Sequence, residues 1–303
     1  MAATLIETNG PIDLRATFGG HLRGNGDPTM RLEPNGVWRA VRTPDGPATV
    51  HVAILERSRL TVEAWGPGRT WVLLRGAAFS GAADDPSALR PVHELVAQLA
   101  RRSSGTRLAR SGLVWDALLP AILEQKVTGT EAHRAFRGLA FAFGEVAPGR
   151  GPRSGPLWVA PPAATIAALP YHAFHRFGIE RRRADTLRRA AAAVARLEPL
   201  VGRPYAEAEA RLRAIPGVGP WTAAEVAVRA WGDPDAVSVG DFHLPNLVAW
   251  ALAGEARADD ARMLELLEPY RGQRGRVVRL LELSGIRPPA FGPRLAPRRI
   301  EAL

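Results

Sequence analysis

The residues whose types and spacing could do chemistry lie in one stretch, Leu212 to Trp250, which reads LRAIPGVGPWTAAEVAVRAWGDPDAVSVGDFHLPNLVAW. Within it, Pro216-Gly217-Val218-Gly219 separates two helical patterns. Two glycines around one apolar residue permit a tight turn with positive φ and leave no side chain between the amides and an approaching surface. The amides that follow belong to the first turn of a helix expected over Pro220 to Ala230, where free N–H groups and the helix dipole together bind phosphate. Ile215 and Val218 are expected to pack inward and hold the turn in shape. A plain helical hairpin has the same spacing, so the glycines alone leave both readings open. Asp241 stands twenty residues after Trp221 and opens a helix expected over Phe242 to Leu252. A carboxylate there accepts amide hydrogen bonds and faces the positive end of the dipole. In isolation it is an ordinary N-cap, and only the neighbouring hairpin makes it a candidate for catalysis.

The elements that must position these residues follow from periodicity. Residues 1 to about 75 read as β-rich: Gly36 to Arg42 alternates, and Thr49 to Trp65 forms two β-branched runs joined by a polar turn at Glu56 to Arg59. Asp84 to Arg102 has helical spacing after the starter Asp85-Pro86-Ser87. Val114 to Gly144 reads as two helices broken near Val127, where Thr128-Gly129-Thr130-Glu131 has capping-box spacing. That break leaves Glu124-Gln125-Lys126-Val127 at an exposed helix end. Pro148 to Pro162 is expected to be a surface loop, and further helices are expected over 163–169, 171–177, 181–197 and 205–214. The fold class is α+β. An antiparallel β-rich domain with a following helix occupies 1–110, an all-α domain 111–286, and a poorly ordered, proline-rich tail 287–303.

Composition narrows the partners. The chain has 303 residues, 46% of them hydrophobic, with 40 Lys and Arg against 30 Asp and Glu, a formal charge of +10 that favours polyanions. The only lysine is Lys126, and a genome that writes arginine for lysine would also produce such a balance. The absence of cysteine excludes disulfides, thiolate zinc sites and iron–sulfur clusters. Any metal would be held by oxygen or histidine. No run approaches eighteen apolar residues, and the start MAATLIETNG lacks the basic and apolar regions of a signal peptide, so a soluble intracellular protein without membrane contact is expected.

With hairpin, spacing and carboxylate in agreement, and Asp241-Phe242-His243-Leu244 fitting an Asp-x-His-aliphatic pattern, the segment resembles the helix-hairpin-helix DNA glycosylase superfamily. Ala117 to Thr128, ALLPAILEQKVT, is similar to the family's helix ending in a Gln-x-Val-Ser/Thr turn. Phe177-Gly178-Ile179 with Arg183-Ala184 is similar to the segment that precedes its hairpin. A β-rich N-terminus directs the resemblance to the 3-methyladenine DNA glycosylase II branch, over most of the chain.

The resemblance implies a bacterial, cytoplasmic, nucleoid-associated monomer that acts on double-stranded DNA containing damaged bases. It implies base flipping, with Asp241 stabilising the positive charge that grows on the sugar. DNA contacts would come from Gln125, Lys126, Thr128, Pro216, Gly217, Val218, Gly219 and Thr222. No cofactor is required, and no metal is held by side chains. A sodium or potassium ion on the hairpin carbonyls would help to anchor phosphate. Bifunctional members carry a lysine at the position of Trp221, so tryptophan there implies a monofunctional enzyme with water as nucleophile. Trp221 and Tyr270, the latter matching a pocket aromatic of the branch, would form a base pocket suited to cationic alkylated purines such as 3-methyladenine and 7-methylguanine. Core packing is the alternative for either ring. Lys126 replaces an apolar wedge and either fills the gap left by the flipped base or contacts phosphate. Glu225 replaces an aromatic and either reads a base edge or faces water. His243 fits the pattern and reads as a structural histidine before a catalyst. Two rival readings are a glycosylase for oxidised or deaminated bases and a non-catalytic DNA-binding protein.

Overall fold

The computed structural model describes residues 1–34, 36–290 and 296–297. The expectation for the 287–303 tail therefore falls mostly on residues outside those described. Five strands, β1 (Ala2–Glu7), β2 (Met30–Glu33), β3 (Gly36–Thr43), β4 (Gly46–Glu56) and β5 (Arg59–Trp65), form an antiparallel sheet in the order β1-β5-β4-β3-β2. The polar turn read at Glu56 to Arg59 joins β4 to β5, with Glu56 opposite Arg59. Alternation does its usual work here. One sheet face buries Val37, Val41, Val50, Val52, Leu60 and Val62 against Leu14 and Phe18 of the Leu14–Gly19 helix and against Trp71 and Phe79. The other face carries Trp38 stacked between His51 and Trp65.

Helices dominate after the sheet, in two packed groups. In the first, the Val114–Leu123, Gly129–Phe143, Arg181–Leu197 and Tyr205–Arg213 helices share a core with the Pro220–Val226 helix. Leu118, Ile122 and Leu139 are wholly buried in it, and each such side chain contributes roughly 1.5–3 kcal/mol. The Val114–Leu123 helix has no capping side chain of its own. Glu198 supplies one from a distance, accepting the amides of Val114 and Trp115 at 2.9 Å each. Burial pushes its carboxyl above the ordinary range, and those two amide bonds oppose the push. The Gly129–Phe143 helix begins at the expected capping box, in which Thr128 and Glu131 each take the other's backbone amide. In the second group, the Leu244–Ala253, Asp260–Leu267 and Arg274–Leu283 helices pack with the Glu94–Arg102 helix. The helix expected from Asp84 is shorter than its spacing suggested. It starts at Glu94, after a single separate turn at Pro86–Ala88, because Pro91 has no amide to donate and disfavours helical backbone at Arg90.

The 148–162 segment is also more structured than a surface loop. Trp158–Val159 pairs with Glu145–Val146, and Leu157 and Val159 are buried against Trp38 and Trp65. Ion pairs bind the sheet region to the helices: Arg39 with Asp116, Arg23 with Glu124 at 3.0 Å, and Arg276 with Asp84 at 2.6 Å. Among the described residues no helix is long and apolar enough to cross a membrane.

Candidate functional site

The hairpin forms where the glycines require it. Gly217 adopts φ +98°, and a Cβ there would lie 2.1 Å from Thr186 Oγ1, so both conformation and space demand glycine. Gly219 has an ordinary extended φ of −96°, and a Cβ there would meet nothing within 4 Å. Its outer side is open. Ile215 and Val218 are buried as expected, and Val218 N donates to Ile215 O at 2.9 Å. The helix that follows runs as α-helix over Pro220–Val226 and then widens into a π turn at Ala227–Trp231, a local feature often found at functional sites.

Behind the hairpin, Gln125 Nε2 donates to Gly217 O at 2.9 Å and to Thr222 Oγ1 at 2.8 Å. Thr222 is only 2% exposed. These two side chains brace the hairpin from the wall of the cleft. Thr128 is likewise occupied, its hydroxyl donating to Glu131 Oε2 at 2.7 Å within the capping box. Arg183 ties the end of the Val114–Leu123 helix to the 178–180 segment, with Nη1 on Leu123 O at 2.8 Å and Nη2 on Gly178 O at 3.0 Å. Lys126 is different. It is exposed, and among the described residues it is the one non-glycine with positive φ, at 54°, a conformation that costs a side-chain-bearing residue about 1–2 kcal/mol.

Asp241 lies where the two helical groups meet. Its Oδ1 accepts the amides of His243 at 2.7 Å and Leu244 at 2.9 Å, capping the Leu244–Ala253 helix. That helix begins two residues later than its periodicity indicated, because Phe242 and His243 form the cap turn. Oδ2 accepts from Trp221 Nε1 at 3.0 Å. The carboxylate is thus held by three N–H groups, and two concavities open on it. One, of about 470 Å³, is a surface cleft walled by Lys126, the hairpin glycines, Trp221 and Phe242, whose ring is 79% exposed. The other, of about 450 Å³, runs inward between the sheet region and both helical groups, past Glu225, Arg229, Ser238, His21 and Val278.

The two aromatic rings expected to form one pocket, Trp221 and Tyr270, are not brought together. Trp221 lines the cleft and not the cavity. Tyr270 is 2% exposed in the core of the second helical group, where its hydroxyl accepts from His93 N at 3.0 Å and pairs with His93 Nδ1 at 2.6 Å. A ring so placed packs and cannot stack on a base. Glu225 does not face water. It is paired with Arg229, and Ser238 Oγ donates to its Oε1 at 2.5 Å. Burial would raise the Glu225 carboxyl, but the charge of Arg229 and the hydrogen bonds from Ser238 and Arg229 outweigh it, holding the group below the ordinary range. His21 is pushed well below an ordinary histidine by burial and by Arg39, Arg229, Arg23 and Arg279, and so is neutral.

His21, Arg229 and Ser238 were not anticipated as site residues. Arg229 was within reach of sequence reasoning, being four residues after Glu225 on one helix face. His21 carried no local signal, since it arrives from the opposite end of the chain. Among the described residues no cluster of histidine, aspartate and glutamate could hold a metal ion.

No protein-family profile matches the chain. It is 27% identical to the putative DNA-3-methyladenine glycosylase YfjP of Bacillus subtilis over 149 residues, which is 48% of this chain and 50% of that protein. The match therefore spans about half the length of that curated relative. The structure superimposes on the 3-methyladenine DNA-glycosylase from Archaeoglobus fulgidus with a TM-score of 0.77 and 19% identity, covering 92% of this chain and 97% of the other. It also superimposes on MBOgg1, solved in complex with a low-affinity DNA ligand, with a TM-score of 0.72 and 16% identity over 93% and 94% of the two chains. The chain has the α+β fold of the helix-hairpin-helix DNA glycosylases.

Proposed function

We propose that this protein is a monofunctional DNA glycosylase that removes alkylated purines, hydrolysing the N-glycosidic bond with Asp241 as its catalytic carboxylate. The observation that carries this reading is Asp241 itself, an anion fixed by three N–H groups between an open hairpin cleft and an inner cavity. A protein that only holds DNA gains nothing from a fixed anion beside its phosphate-binding turn, since the charge repels the ligand. A glycosylase needs it. The hairpin amides around Gly219 would take the phosphate, and the extruded nucleotide would pass Asp241 into the cavity.

As the bond from C1′ to the base breaks, its electron pair leaves with the base and positive charge grows on the sugar, where the carboxylate stabilises it. Water then adds to C1′ and its proton is passed on, through Asp241 or solvent, toward the departing base. Trp221 occupies the position from which a lysine would attack, which supports hydrolysis without a Schiff base. The alkylated-purine assignment draws on the similarity to the Bacillus and Archaeoglobus 3-methyladenine DNA glycosylases. No step runs through a metal. A monovalent cation at the hairpin would have to share the carbonyls of Ile215 and Gly217, which already accept from Val218 N and Gln125 Nε2.

The test is chromatography of bases released from methylated duplex DNA. Asp241→Asn is expected to lower release by about 10³-fold or more, the scale on which preorganised electrostatic groups act, while duplex affinity stays the same or rises. Release within tenfold of wild type would remove Asp241 from the catalytic role. Borohydride should trap no protein–DNA adduct, and an adduct lost in Lys126→Ala would refute the monofunctional assignment.

A further inference from the structure

Resting on the glycosylase reading, we propose that Phe242 is the side chain that enters the duplex beside the extruded nucleotide and stacks in the place its base has left, while Lys126 holds backbone phosphate across the cleft.

Leaving a phenylalanine 79% exposed forgoes the hydrophobic gain of burying it, and nothing in the fold asks for one at this position. Among the described residues its ring joins none of the hydrophobic clusters. Its aromatic contact is edge to face with His243, itself exposed, at 4.9 Å and 88°. The turn that carries it does not depend on the ring, since it is closed by Asp241 Oδ1 accepting the amides of His243 and Leu244. That turn is nevertheless pinned. Asp260 takes the Gly240 amide at 3.0 Å on its other side, so the ring is offered one peptide, about 3.8 Å between Cα atoms, from the catalytic carboxylate.

The charge of the cleft says what the ring meets. Of the acids in its wall besides Asp241, Glu124 is paired with Arg23 and Glu180 with Arg183. The remaining cations of the wall, Lys126 and Arg182, are exposed. An apolar ring among exposed positive charge matches a strand with an anionic backbone and flat-faced bases. A purely apolar protein surface would leave those cations unanswered. Extruding a nucleotide removes the stacking on both of its neighbours, and Asp241 must reach C1′ of that nucleotide, so a ring one residue away lies beside the vacated place. Side chains that insert between base steps are apolar, whereas an ammonium is strongly hydrated and suits phosphate. Phe242 therefore has the chemistry for the gap, and Lys126 does not.

Single-turnover base release from methylated duplex should fall about 10- to 100-fold in Phe242→Ala, the scale of one base–aromatic stack. The factor should be the same for 3-methyladenine and 7-methylguanine, because the ring meets the gap and not the lesion. Phe242→Leu keeps apolar bulk and should lose less, which covers an alanine variant that fails to fold. With 7-methylguanine opposite an abasic analogue, extrusion no longer limits and the Phe242→Ala loss should shrink to within about threefold. Binding reports the ring without the chemistry. A duplex with a tetrahydrofuran abasic site flanked by 2-aminopurine, whose emission falls when it stacks, should be dimmer in complex with the wild type than with Phe242→Ala. Emission that Phe242→Ala leaves unchanged, or losses of release that differ between the two bases or persist in full opposite the abasic analogue, would overturn the ring's role while wild-type release leaves the glycosylase reading intact. Dimming that depends on Phe242, without base release by the wild type, would instead overturn the glycosylase reading and leave the ring's role in DNA binding standing.

Discussion

The cleft and the cavity share Asp241 but are built in opposite ways. The cleft side is assembled from two short segments, 124–128 and 216–222, whose backbone does the work: a glycine turn, a left-handed Lys126 and buried braces behind them. The cavity side is assembled from side chains, with His21 from the sheet region, Glu225 and Arg229 from a helix that widens into a π turn, and Ser238 from a loop. A backbone surface suits a ligand whose repeating unit is always phosphate. A side-chain surface suits a ligand whose identity must be checked. Substitutions on the two sides should therefore fail differently, the first losing structure or duplex affinity without regard to the lesion and the second losing discrimination.

The largest effect on the cleft side is expected at Gly217. Gly217→Ala places a Cβ against Thr186 Oγ1 and forces a side chain into φ +98°, costs that together should reach about 2–4 kcal/mol. Denaturant titration would measure the loss, and duplex binding should fall equally for damaged and undamaged DNA. Retention of full stability would mean that the hairpin relaxes, and the cleft would then not be a rigid backbone device. Trp221→Phe should come next. It keeps a ring in place but removes the Nε1 bond to Asp241 Oδ2, and a hydrogen bond to a charged group contributes about 1.5–3 kcal/mol, or roughly 10- to 100-fold in base release. As a positioning residue it should affect all lesions alike. A loss confined to cationic bases would favour the stacking role expected of this ring.

How legible each side is in the amino-acid sequence follows from the same contrast. The hairpin, the capping box at Thr128 and the carboxylate at Asp241 are local patterns, in which the responsible residues lie within a few positions of one another. Their placement agreed with expectation. Tyr270 was misjudged because its partner, His93, lies far away in the chain, and the bonds by which Gln125 braces Gly217 and Thr222 left no local sign for the same reason. Trp221 stands beside the carboxylate as expected, but a helix position does not say which of two concavities its ring lines, and its bond to Asp241 left no local sign. His21 could not have been found at all, as nothing near it marks it.

On the cavity side, pH offers a smaller test. His21 has its folded pKa depressed by burial and by four arginines, so the unfolded chain binds its proton first as pH falls. The stability owed to neutral His21 is complete above about pH 6.5, the unfolded value, and declines as pH drops below it toward the folded value, by at most about 1.4 kcal/mol per pH unit. His133 shifts in the same direction, so the wild type must be compared with His21→Phe. That variant should show a shallower acid loss. An identical slope would mean that His21 takes up a proton freely in the folded protein, and the cavity would then be wet.

The smallest effect, and the sharpest contrast between stability and function, is expected at Lys126. Its left-handed backbone is a strain that glycine would not feel, although glycine also has more freedom to lose on folding. Lys126→Gly should therefore leave stability unchanged or raise it by up to about 1 kcal/mol. If Lys126 contacts phosphate from the cleft rim, the same substitution should weaken duplex binding for every sequence and lower the slope of log affinity against log salt by about one. If it fills the gap left by the flipped nucleotide, base release should fall while that slope stays put. A strained residue that can be relaxed without loss in either assay would be explained by neither role. The turn at 124–128 would then serve only to start the Gly129–Phe143 helix, and the cleft side would reduce to the hairpin alone.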